Sequence, residues 1–294
     1  MTYYRRNNSD GTTMCECCNA STGEITSCGV DPVTNSCPAT ETTQNEGGSG
    51  STVVDSGAFT FSLPLLSVGE WSFGLDYQSG SGLQSLLGGG FGFPQYIHLT
   101  QEANGDVILH SGVHTAERFV WTGSRYSAQD NNTRATLTRS SVGGDHFKIL
   151  ASNGTVTTFF GFDGAATPGR IQSICGRNGH AMEYTWAAVG SQVQIQSVTD
   201  TFGRTVTYSY FGPEHNYQLR QVEDHLGRKL TFQYDSSNRL VAVITPSITR
   251  AADGVGLPGG TAYVFQYDVD NPRADRQDDL IRIFYPNQTQ GFVS

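Results

Sequence analysis

Two stretches of this chain carry nearly the same sequence 24 residues apart: DTFGRTVTYSY at 200–210 and DHLGRKLTFQY at 224–234. Aligning the segments that begin at Ile171, Ile195 and Leu219 extends the match. An apolar residue follows three positions on, at Ile174, Val198 and Val222. A glycine comes next, at Gly179, Gly203 and Gly227, and an aromatic after it, at Tyr184, Tyr208 and Phe232. A second aromatic closes each unit, at Trp186, Tyr210 and Tyr234. A fourth unit begins at Leu240 and Val243, takes the insertion SITRAADGVGLPGG, and closes with Phe265 and Tyr267. A fifth begins at Leu280 and Ile283. A fixed period of this length marks supersecondary units that bury their apolar faces only by stacking on their neighbours.

One unit reads as a hairpin: QIQSV is a strand, TDTFG a turn and RTVTYSY the returning strand. Asp200 and Asp224 stand where a carboxylate caps the turn's own amides, and glycine supplies a backbone angle that other residues resist. Aromatics two apart share one face of a strand. The expectation is a ladder of rings stacked unit upon unit, each pair adding roughly 0.2–1 kcal/mol.

The rest of the chain supports strands. It has 35 Gly, 13 Tyr and 16 Phe with 15% charged residues, a composition that favours strands and tight turns over helices. Between Val53 and Phe162, short alternating runs close on Gly, Asn or Asp. GAFTFSLPLL reads as a strand ending at Leu63, ahead of a proline. WSFGLDYQS places Trp71, Phe73, Leu75 and Tyr77 on one face, and SNGT at 152–155 reads as a two-residue hairpin turn. The expected layout is a polar, cysteine-containing segment with linker at 1–51, a non-repeat antiparallel region at 52–169, and repeats at 170–294, the last incomplete.

The net charge of −9, with scattered arginines and only two lysines, argues against nucleic acid and anionic lipid as partners. No apolar run approaches the ~20 residues of a membrane-spanning helix, so no membrane insertion is expected. The start, MTYYRRNNSDGTTMCECC, lacks the apolar core of a secretory signal.

DTFGRTVTYSY, DHLGRKLTFQYDSSNRLVAVITP and YVFQYDVDN resemble the tyrosine-aspartate (YD) repeats of the Rhs family, found also in toxin-complex shells and teneurins. The Tyr-Asp pair itself stands at Tyr234-Asp235 and Tyr267-Asp268, whereas Phe211 follows Tyr210 and Ala187 follows Trp186. The upstream strands resemble the lead-in region of such proteins. The resemblance implies an all-β fold: an antiparallel hairpin ribbon curling into an open shell or barrel segment. It also implies an extracellular or cell-surface structural role without catalysis, as part of a toxin-enclosing shell. The incomplete fifth unit leaves a strand edge unpaired, which predicts other protein chains as partners, through self-assembly into a filament or completion by a partner subunit. The alternative function is a carbohydrate-binding adhesin that uses exposed tryptophans and tyrosines, with a glycan as its ligand.

Most chemistry-bearing residues of the chain also have a plain structural reading. Cys15, Cys18, Cys28 and Cys37 fit either a zinc site, since Cys15 and Cys18 have the favoured spacing, or two disulfides. Cys175 reads as a small buried apolar residue. His110 and His114 have a helical ligand spacing but lie in a Gly-broken strand and turn. Asp145-His146 lacks a nucleophile elbow. Asp200, Asp224, Asp235 and Asp268 read as turn caps before calcium ligands. Trp71, Trp121 and Trp186 read as core before sugar platforms. No catalytic residue and no cofactor is expected.

Overall fold

The computed structural model describes residues 59–113, 115–130, 134–142, 144–247, 259–271 and 278–286, and the backbone of strands at 2–7, 13–18, 25–27 and 49–52. The chain divides into two units, Met1–Glu46 and Gly47–Ser294. The first carries a three-stranded antiparallel sheet of β1 (Thr2–Asn7), β2 (Thr13–Cys18) and β3 (Ile25–Ser27). Cys15 and Cys18 fall on β2. Cys28 and Cys37 lie outside the described residues, and the zinc-or-disulfide alternative with them.

The second unit opens with β4 (Ser49–Thr52), β5 (Phe59–Val68) and β6 (Trp71–Gln78). A small hairpin follows, β7 (Gln84–Ser85) with β8 (Gly88–Gly89), and then β9 (Phe91–Gly92) completes the sheet order β4-β5-β6-β9. The Gly-Ser end of the expected linker is therefore a strand, since Ser49–Thr52 pairs with Phe59–Ser62. The expected end of a strand at Leu63 is also corrected, because β5 runs through Pro64 to Val68. A register shift between Pro64 and Leu66 accommodates the proline. Bulges are where a strand tolerates a residue without an amide hydrogen. On β6, Trp71, Phe73, Leu75 and Tyr77 are all buried.

A four-stranded meander comes next: β10 (His98–Gln101), β11 (Val107–Ser111), β12 (Thr115–Trp121) and β13 (Tyr126–Ala128). The remaining strands form one sheet in sequence order. They are β14 (Thr136–Ser140), β15 (His146–Leu150), β16 (Val156–Phe160), β17 (Ile171–Cys175), β18 (Ala181–Val189), β19 (Gln192–Asp200) and β20 (Thr205–Tyr210), then β21 (Leu219–Glu223), β22 (Lys229–Tyr234), β23 (Leu240–Ile244), β24 (Ala262–Tyr267) and β25 (Leu280–Phe284). Every neighbouring pair is antiparallel, and the edge strands β14 and β25 do not close on each other. The fold is all-β; the only helical turn among the described residues is the 3-10 segment Pro213–His215.

Six turns share one backbone geometry. In 102–106, 151–155, 176–180, 200–204, 224–228 and 235–239 the first residue's amide bonds the fifth residue's carbonyl. The fourth residue's amide bonds the first residue's carbonyl, all at 2.8–3.0 Å. The fourth residue has positive φ throughout, from 91° at Gly105 to 61° at Asn238. These are three-residue loops, a type I turn followed by a left-handed residue. SNGT is one of them, which corrects the two-residue turn: only Gly154 takes positive φ there.

Two side-chain solutions serve this one backbone, because the fifth residue's amide needs an acceptor. In the Asn-Gly turns, Asn104, Asn153 and Asn178 at the third position accept from Asp106, Thr155 and His180. In the others, Asp200, Asp224 and Asp235 at the first position accept from Arg204, Arg228 and Arg239. Each of these aspartates also accepts from its arginine's Nε, at 2.6, 2.6 and 2.8 Å. Burial raises the Asp224 carboxyl, but the Arg228 amide and guanidinium outweigh it and hold the group below its ordinary value of 3.8.

Candidate functional site

The repeats explain their own odd spacing. Ile195 and Val198, Leu219 and Val222, and Leu240 and Val243 are three apart, which on a regular strand would face opposite sides. The structure inserts one extra residue in the first strand of each unit. Register shifts stand opposite Thr185/Trp186, Ser209/Tyr210, Gln233/Tyr234 and Gln266/Tyr267, leaving Gln196, Arg220, Val241 and Ile281 unpaired. A bulge flips the alternation once, so both apolar residues point inward. Ile195, Leu219 and Leu240 are 0% exposed, and Val198, Val222 and Val243 no more than 2%. The same geometry recurs one step upstream, with Phe159 opposite Ile171 across a shift at Thr158/Phe159. Ile174 is half-buried there.

The two aromatic columns have different jobs. The second column always carries a hydrogen-bond donor. Tyr210 Oη donates to the Ile195 carbonyl at 2.7 Å, Tyr234 to Leu219 at 2.8 Å and Tyr267 to Leu240 at 2.7 Å; Trp186 does the same through Nε1 to Ile171 at 2.7 Å. Each bond crosses a hairpin that has splayed: β19 and β20 pair only over Ser197–Thr199 and Thr205–Thr207. The side chain replaces a ladder bond that the backbone no longer makes. Burial drives the Tyr210, Tyr234 and Tyr267 hydroxyls well above their ordinary value of 10, so they stay protonated donors.

The first column faces the β5–β6 hairpin. Tyr184, Tyr208, Phe232 and Phe265 are 0–6% exposed. Trp71 Nε1 donates to Tyr208 Oη at 3.2 Å. Phe73 meets Phe232 edge-on at 5.7 Å, Phe61 stacks on Phe265 at 6.2 Å, and the Leu280 amide donates to Tyr77 Oη at 3.3 Å. Successive inward residues of the hairpin therefore meet successive repeats. The expected ring-on-ring ladder is corrected. Among the described residues no two first-column rings stack, because alternate strands of a sheet lie roughly 9.6 Å apart. Val198, Val222 and Val243 fill the strand between.

Gly179, Gly203 and Gly227 hold the left-handed position of their turns, with φ of 81°, 77° and 75°. Sequence reasoning missed the arginines that pair with the turn aspartates, although Gly-Arg follows Asp at a fixed distance in both DTFGR and DHLGR. It missed the bulges too, although i, i+3 apolar spacing within a strand was their signal.

The remaining candidates disperse. His114 lies outside the described residues. His110 instead stacks on His98, with ring centroids 4.7 Å apart at 13°, and hydrogen-bonds Thr100 Oγ1 at 2.9 Å. Burial pushes His98 down to about 4, with Arg170 and His110 adding to the shift. Asp145 holds Arg139 with both oxygens, at 2.7 and 3.0 Å, and so is tied to a guanidinium. Trp71 and Trp186 belong to the core. Trp121 is 39% exposed and packs on Tyr126 at 4.8 Å. Cys175 is half-buried on β17. Among the described residues no group of three or more His, Cys, Asp or Glu side chains is arranged to hold a metal.

This architecture defines a repeat-ribbon β protein in which each unit's distinctive residues hold turns, bulges and core. Residues 214–247 match the family model for the RHS repeat. A crystal structure of TcdB2-TccC3 superposes with a TM-score of 0.54 at 13% identity, over 77% of this chain and 17% of that one. The likeness is one of fold, and this chain spans about a sixth of that chain's length. No curated protein matches the sequence. Residues 214–247 thus carry an RHS-type repeat, set in a fold like that of TcdB2-TccC3.

Two outcomes follow from the site. Tyr210→Phe and Tyr234→Phe each strand a buried carbonyl and lower unfolding free energy by about 1–3 kcal/mol. Tyr184→Phe, in the column where Phe already stands at 232 and 265, changes it by less than about 0.5 kcal/mol in denaturant titrations. The depressed His98 favours the neutral ring in the fold. Its contribution is complete above pH 6.5 and is lost as pH falls from there towards 4. His98→Phe flattens that part of the stability–pH curve.

Proposed function

We propose that the chain serves as a structural wall segment of an Rhs-type β-shell, working outside the cell or at its surface, with no catalysis of its own. The observation that carries this reading is the use of the repeat side chains. The aspartates and arginines lock turns, the donors close splayed hairpins, and the apolar columns fill the core against β5–β6. Surface placement and the enclosure of a toxic domain rest on the family resemblance.

A wall of this kind extends along its ribbon. Among the described residues nothing pairs with the outer edge of β25, and an unpaired strand edge recruits another strand. We assign that edge to a further strand from a second copy or a partner subunit. Ile281, the unpaired bulge residue of β25, is the place to interrupt it. In analytical ultracentrifugation the wild type should form larger species as concentration rises, and Ile281→Lys should remain monomeric with an unchanged circular dichroism spectrum. A wild type that stays monomeric at every concentration contradicts assembly through this edge.

A further inference from the structure

A seam of few bonds joins the β10–β13 meander to the twelve-stranded sheet. The Leu99 amide donates to the Gly169 carbonyl at 2.7 Å, and His98 pairs with Arg170 in an isolated bridge, not a ladder. Phe160 holds the same two residues from the other side. Its amide donates to the Arg170 carbonyl at 2.9 Å, and its carbonyl accepts from the Gly169 amide at 3.1 Å. A Cβ at Gly169 would lie 2.1 Å from the Leu99 carbonyl oxygen, so only glycine permits this approach. A boundary with so few bonds is where a fold opens locally.

The side chains at the seam are one-sided in charge. His98 stacks on His110 across β10 and β11 at 4.7 Å, and the His110 ring is itself tied to Thr100 Oγ1. Tyr96, on the approach to β10, tilts against His98 at 5.7 Å. Arg170, just ahead of β17, lies over two rings, 5.3 Å from the centre of Tyr96 and 5.4 Å from that of Trp186, which hold its guanidinium in place. Both imidazoles line a pocket of about 210 Å³, to which Ser85, Phe93, Val113 and Ala116 also contribute; none of its lining residues is a carboxylate. His98 Nδ1 and Arg170 Nη1 are buried with no hydrogen-bond partner among the described residues. The charges that act on His98 are those of Arg170 and His110, and both oppose a proton there.

We propose that His98 and Arg170 form an acid-released latch: adding a proton to His98 parts β10 from the start of β17 and frees the meander from the twelve-stranded sheet. A charged imidazole in the closed seam carries an N–H without an acceptor and faces a guanidinium. Both penalties vanish once the seam opens to water. Burial, reinforced by Arg170 and His110, holds His98 down at about 4 in the closed seam, against 6.5 for an ordinary ring. Closure is therefore fully favoured above pH 6.5, and opening grows about a hundredfold as pH falls from there to 4. The latch rests on the wall reading for its use, and adds acidification as the condition under which the wall opens. Its response is read within one chain, so its failure leaves the wall reading and the β25 edge untouched.

Amide hydrogen exchange of the full chain by NMR tests it, with each rate divided by the intrinsic rate at that pH. Between pH 7 and 4 the Leu99 amide should lose protection about a hundredfold. At pH 4 its exchange should be insensitive to low urea, as a local opening is, whereas the amides of β20–β22 should exchange faster as urea is added. His98→Phe should hold the loss at Leu99 within about threefold, and Arg170→Gln should leave a loss several times smaller than in the wild type. If His98→Phe does not fold, His98→Gln, neutral at every pH, takes its place. The proposal is overturned if Leu99 keeps its protection at pH 4, if the His98 variant or Arg170→Gln loses as much as the wild type, or if Leu99 follows the urea dependence of β20–β22, which is global unfolding.

Discussion

The contact between the first aromatic column and the β5–β6 hairpin is what the rest of the second unit depends on. A ribbon of hairpins makes all its hydrogen bonds between neighbours, and each hairpin alone is marginal. Its buried face needs something to lie against. Trp71, Phe73, Phe61 and Tyr77 supply that surface, each meeting a different repeat. Burying rings of this size contributes roughly 1.5–3 kcal/mol apiece, far above the few tenths of a cross-strand pair. The hairpin therefore binds the repeats into one body.

The bulge and the donor are two halves of one device. Moving both apolar residues of a unit's first strand inward requires an extra residue, and the hairpin beside it splays where the second aromatic sits. A carbonyl is exposed inside a dry interior, where leaving it unpaired costs about 1–3 kcal/mol. A tyrosine hydroxyl or an indole N–H reaches across and pairs it. This accounts for Trp186 standing in a column of tyrosines, and for phenylalanine being confined to the other column among these units.

Much of this was legible in the sequence. The period, the hairpin reading and the burial of Tyr208 or Val222 follow from alternation and turn chemistry, which are local. What was not legible involved partners distant in sequence or a broken alternation. Pro64 signals a strand end locally, yet a bulge carries β5 past it. The rings were expected to stack on one another, because periodicity records that they share a face and not what that face touches. The His98–His110 pair was invisible because it depends on the register of β10 against β11, which alternation alone does not set.

Native-state hydrogen exchange tests the central claim most directly. If β5–β6 and the repeats form one core, the amides of β6 and of β19–β24 should exchange through a common opening of similar free energy, and Phe73→Ala should lower protection in both together. Loss of protection in β5–β6 while the repeat strands keep theirs would show that the ribbon stands without the hairpin.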